Sequence, residues 1–164
     1  MPAARFRFSL QPALDHALSE QEHCQRNLAI ALSNVASERA ELNRYLNVLE
    51  QTRQQIRDEY DKMVIPLQQR LSVSGLTARS RYLESLGDRE AADLAAIDRQ
   101  RARLNAAEHV LADRREDLAR QTAEVEALDK LKEKQNAEFQ AELLKAEDTE
   151  RDDQATLQFK RKKA

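Results

Sequence analysis

The side chains in this 164-residue chain whose types suggest chemistry are few: His16, His23 and Cys24 near the start, His109 later, and scattered adjacent carboxylates. His16 and His23 lie seven apart, so on a helix they share one face, with the Cys24 thiol beside them. A metal centre needs three or four ligands and a supporting outer shell, and no third ligand falls at helical spacing from this pair. Acidic neighbours such as Glu147–Asp148 and Asp152–Asp153 recur. Paired carboxylates do acid–base work when burial drives their pKa values apart, which a thin helical chain does not offer. Glycine occurs only at 75 and 87, so neither common phosphate-cradling loop can be built. These residues read as polar helix positions. The chain is expected to be no enzyme, with no catalytic residue, no metal and no cofactor.

The elements that carry them are helices. With 2 Gly, 3 Pro, 4% aromatics and 34% charged residues, the composition supplies few turns and little material for a thick core. It has the Ala, Glu, Leu, Arg, Gln and Lys richness of long helices and coiled coils. Alternating strand patterns are missing. Leu28, Val35, Leu42, Leu49, Ile56 and Met63 stand at intervals of seven, which puts them on one stripe of a helix. A second row, Leu18, Leu32, Leu46 and Tyr60, interleaves with them. The positions three after each rung read Ala31, Glu38, Tyr45, Thr52 and Glu59, so the seam is consistently apolar on one side only. Such a strip needs another helix laid along it. Ile97, Leu104, Leu111, Leu118 and Val125 provide that partner with a ladder of the same period.

The expected fold is all-α, one elongated antiparallel coiled-coil hairpin over 1–164. Helix 1 spans about 10–71, a turn about 72–76, helix 2 about 77–159 and a basic tail 160–164. Ser9 and Thr77 are the expected N-caps, and Pro12 falls in a first turn, where its missing N–H is tolerated. Phe6 and Phe8 fit either a staple onto the first helical turn or a docking tip. Pro66 is expected to kink or end helix 1, and Gly87 to mark a soft point. Folding at Gly75 brings Leu42 near Ala106, Leu28 near Arg120 and Leu14 near Lys134. After Leu128 the repeat slips, which predicts local unwinding. Helix 2 then outruns helix 1, leaving Phe139, Leu143, Leu144, Leu157 and Phe159 with little opposite them. Tyr82, Leu83 and Leu86 form a group near the tip, serving either as a clasp against Met63 and Leu67 or as an exposed patch. Lys160–Lys163 fits a solvated helix end or an electrostatic contact, and the acidic residues just before it oppose polyanion binding.

The net charge of -2 gives no pull toward nucleic acid. The longest apolar run, Leu28 to Leu32, is far too short to span a bilayer, and nothing at the N-terminus reads as a signal peptide. Cys24 stands alone, which fits a reducing cytosol.

Three stretches together carry a family resemblance: Phe-Arg-Phe-Ser-Leu-Gln-Pro-Ala-Leu over Phe6–Leu14, Gly75-Leu76-Thr77 shortly before Tyr82-Leu83-x-x-Leu86, and Leu-Asp-Lys-Leu-Lys-Glu-Lys over Leu128–Lys134 followed by Glu138-Phe139. In these the chain resembles the FliJ family of flagellar type III export proteins, with YscO-type injectisome proteins as relatives. The resemblance implies a stalk-like hairpin that couples the export ATPase ring, and its regulator, to the cytoplasmic domain of the export gate, and that escorts export chaperones. It implies a cytoplasmic protein that meets the membrane only through partners. Tyr82 and Leu86 match positions presented to the gate, whereas Arg89 and Asp93 depart from an apolar continuation. Arg151 stands before Asp152 where that family usually has Leu. The alternative is a coiled-coil scaffold or tether, or a helical-hairpin chaperone outside secretion.

Overall fold

The computed structural model describes residues 5–64 and 72–163, with side chains as far as Asp153. It contains two helices, α1 (Gln11–Val64, 54 residues) and α2 (Val73–Lys163, 91 residues), and no strand among the described residues. They pack antiparallel as a two-helix coiled coil, the expected all-α class. The contacts fall into two units, Met1–Arg26 with Glu116–Ala164, and Asn27–Arg115.

In the unit of Asn27–Arg115, the rungs Leu28, Val35, Leu42, Leu49, Ile56 and Met63 are all buried or half-buried. The row that joins them in the seam is the one three residues on, not the one four residues on. Ala31, Thr52 and Tyr45 turn inward, with Glu38 and Glu59 half-buried beside them, while Leu32, Leu46 and Tyr60 stay exposed. The reason lies in what alternates with those apolar residues. The outer row reads Leu32, Arg39, Leu46, Arg53, Tyr60, so burying it would strand two guanidiniums in the seam. Left outside, Arg39 reaches Glu108 and Arg53 reaches Glu90, each at 2.7 Å.

Two polar residues of the inner row, Thr52 and Glu38, are matched by polar residues of α2. The Thr52 hydroxyl, 1% exposed, donates to the Asp93 carboxylate at 2.8 Å. The buried Gln100 amide donates to the Glu38 backbone carbonyl at 3.1 Å and also to the Glu38 carboxylate. Among the described residues no buried side-chain polar atom lacks a partner. Around these pairs lie the apolar layers, one of them built from Ala31, Val35 and Leu111 with Leu28, Leu104 and Ala107 against it. Ile97 and Leu86 are buried too, each such side chain stabilising by about 1.5–3 kcal/mol.

The second unit, Met1–Arg26 with Glu116–Ala164, closes on the opening segment. Phe8 is buried with Leu14, Ala17 and Val125, and Phe6 and Leu128 pack against that cluster. Phe6 also meets the Phe139 ring, centroids 5.8 Å apart and tilted by 48°. The phenylalanines are thus a staple, and one that reaches across to α2. Phe139 is half-buried: what meets it is the opening segment ahead of α1, a contact the expectation of little opposite it did not include. The slip expected after Leu128 is also absent there. Burial keeps its period through Val125, Leu128, Lys132, Gln135 and Phe139, and Leu131 points outward.

The termini of the helices differ from expectation for local reasons. Ser72, not Thr77, caps α2. Its hydroxyl accepts from Gly75 N at 3.3 Å and its carbonyl from Leu76 N at 3.2 Å. Val73–Thr77, placed in or next to the turn by sequence, are helical, and the Thr77 hydroxyl donates back to the Val73 carbonyl. At the start of α1 the Leu10 carbonyl accepts from Leu14 N, which puts the cap one residue after Ser9. Near the end of α1, the Lys62 carbonyl, one of the four without an intrahelical donor, accepts from Arg79 of α2 at 2.7 Å. Ile65, Pro66 and Leu67, with the kink and the clasp assigned to them, lie outside the described residues. The tail Lys160–Lys163 continues α2 as far as Lys163.

Because α2 begins at Val73, the pairing is shifted toward its N-terminus relative to a fold centred on Gly75. Gln21 bonds to Thr122 at 3.1 Å, and Leu14 clusters with Val125 rather than lying near Lys134. Leu28 belongs with Leu111 and Leu104 rather than with Arg120.

Two stability outcomes follow from this geometry. Gly87 lies inside α2 with nothing within 4 Å of where a Cβ would sit, so Gly87→Ala should stabilise by about 0.5–1 kcal/mol in urea titrations. Asp93→Ala leaves the Thr52 hydroxyl buried without its acceptor and should lose about 1–3 kcal/mol. Adding Thr52→Val to it should recover part of that loss in the same titrations.

Candidate functional site

The groups that could do chemistry do not converge. His16, His23 and His109 are exposed, and Cys24 is half-buried in the row of Ala17 and Ala31. Among the described residues no group of three or more His, Cys, Asp or Glu side chains could hold a metal ion. Glu147, Asp148, Asp152 and Asp153 are all exposed. What the structure offers instead is exposed apolar surface, and it sorts the sequence-predicted residues into packed and exposed ones.

The Tyr82 group splits. Leu86 is 3% exposed and belongs to the seam, Leu83 is half-buried, and Tyr82 is 47% exposed. Leu76, in the first turn of the same helix, is exposed as well. Asp93, which sequence put on the same surface as an interruption, is turned toward Thr52 and does not interrupt it. Arg89 remains exposed.

The second group splits in the same way. Phe139 is engaged by Phe6, Leu143 is half-buried, and Leu144 is 63% exposed. From Leu144 to Asp153 every residue is exposed. The side chains of Leu157 and Phe159 lie outside the described residues. Sequence reasoning missed a further exposed set, Leu32, Leu46 and Tyr60 on α1 together with Leu94 on α2. The signal was present as the alternation of apolar residues with arginine at intervals of seven, which marks a flank rather than a seam.

Among the described residues no helix is long and apolar enough to cross a membrane. No curated protein sequence matches the chain. A solved structure described as a YscO homologue from Chlamydia trachomatis has a similar fold, with a TM-score of 0.80 over 93% of this chain and 94% of that one, at 15% identity. The family model described as flagellar FliJ protein matches residues 6–164. The chain therefore belongs to the FliJ family, and with it to the proteins associated with type III export.

Proposed function

We propose that this chain couples an export ATPase ring to the cytoplasmic domain of an export gate, in the manner of a central stalk, and escorts export chaperones. The observation that carries the reading is the exposed face of α2 beyond the Phe6–Phe139 contact. There Leu144 stands at 63% exposure, on a helix that runs on to Lys163. A large apolar side chain kept in water, on a stretch of helix whose described residues 144–153 are all exposed, is the kind of surface another protein covers. The family match supports the choice of partner. In this reading Leu143 and Leu144, with Leu157 and Phe159 further on, meet the ATPase ring and its regulator. Tyr82, the exposed member of the group with half-buried Leu83 and buried Leu86, meets the gate. The protein works in the cytoplasm, reaches the inner face of the membrane through these partners, and does not bind nucleic acid.

The two aromatic and aliphatic positions on α2 separate folding from docking. Leu144→Ser should leave helicity and melting unchanged while weakening capture of the purified export ATPase and its stimulated hydrolysis. Phe139→Ser should instead lower stability by about 1–2 kcal/mol through the lost ring contact. A pull-down in which the unaltered chain neither binds the ATPase nor changes its rate, with a concentration-dependent dimer in sedimentation, would replace the stalk reading with a scaffold.

A further inference from the structure

We propose that the groove between Tyr45 and the Arg99–Arg103 turn of α2 binds a carboxylate side chain from an acidic segment of a partner protein. The groove is lined by Tyr45, Ala96, Arg99, Gln100 and Arg103, all within the unit of Asn27–Arg115. Its volume of about 50 Å³ admits a carboxylate head and no nucleotide base.

Arg99 and Arg103 stand one helical turn apart on the same stripe, and both are exposed. Among the described residues neither has a hydrogen bond or ion pair, whereas Arg39, Arg53 and Arg101 have each found a carboxylate. Like charges four apart on a helix repel, so this pair is held together at a small loss that an anion between them would reverse. Guanidinium groups bind carboxylates through paired N–H bonds of fixed geometry.

Tyr45 supplies the third contact. It lies in the inner row of α1 and is half-buried, and among the described residues its hydroxyl has no hydrogen-bond partner. A phenol there can donate to an incoming oxygen. Glu38 is the acid tied to this wall, but its carboxylate already accepts from the Gln100 amide. Two guanidiniums against one such carboxylate leave the groove positive. Nucleic acid is disfavoured because a phosphate backbone needs a run of cations along its path, and Asp98, Asp113 and Glu108 interrupt this stretch. The site stands on the geometry of this unit and does not depend on the export reading.

The test is fluorescence anisotropy of labelled N-acetyl-hexaglutamate with the full chain at low salt. Binding should appear and should weaken as salt rises. Arg99→Ala/Arg103→Ala should weaken it about tenfold with helicity and melting unchanged. Tyr45→Phe should weaken it about threefold. Arg89→Ala/Arg115→Ala, which removes the same charge elsewhere in the unit, should leave it within about twofold. Equal losses in the two double variants would show diffuse attraction and overturn the site, as would no binding by the unaltered chain. Displacement of the peptide by equimolar inorganic phosphate would overturn the choice of an acidic protein segment.

Discussion

The fold depends on keeping water away from a seam that is polar along one of its two rows. A seam of leucines alone could slide by a repeat at little loss, since each position would meet another apolar one. Here Thr52 and Asp93, with Glu38 and Gln100, forbid it. Slide α2 by seven residues in one direction and Glu38 comes to Asp93, carboxylate against carboxylate, while the Thr52 hydroxyl meets Leu86. Slide it the other way and Glu38 meets Ala107, which offers no donor. Each displaced pairing buries a polar group without a partner, worth about 1–3 kcal/mol apiece. The pairs add little to total stability, but they select one alignment.

That alignment decides which surfaces remain. With the polar row turned inward, Leu32, Leu46 and Tyr60 are left outside, alternating along the flank with the Arg39–Glu108 and Arg53–Glu90 bridges. The same choice leaves Tyr45 half-buried at the edge of the Arg99–Arg103 groove. Leu86 is buried in the packing and Phe139 is engaged by Phe6, so Tyr82 and Leu144 are the large side chains left exposed in their neighbourhoods.

Much of this was legible in the sequence, and the rest has identifiable reasons. The ladders Leu28 to Met63 and Ile97 to Val125 announce two helices and a common seam because their period belongs to each helix separately. Whether Leu46 or Thr52 completes the seam does not. It turns on Asp93 and Gln100, which become neighbours only after the two helices are aligned. From sequence Phe6 fits either a local staple or a docking tip, because Phe139 lies far along the chain and no short-range pattern connects them. In sequence Gly75 looks like a turn and points to Thr77 as the cap, although a glycine three residues after a capping serine sits comfortably in the first turn, as it does after Ser72. The Tyr82 and Leu144 groups were recognisable as apolar clusters, while their division into packed and exposed members required the register.

The exposed run from Leu144 to Asp153 has a consequence for the way the molecule opens. A helix that packs on nothing is marginal in water, and local pairs such as Arg151–Asp148 at 3.7 Å offer only tenths of a kcal/mol. Its amide hydrogens should therefore exchange with solvent by fraying, without waiting for the seam to part. Protection should rise steeply inward across Phe139, where Phe6 first holds α2 against another part of the chain. Trypsin should accordingly reach Lys145 and Arg151 well before any site along the seam, and a covering protein would register first as slowed exchange over this stretch.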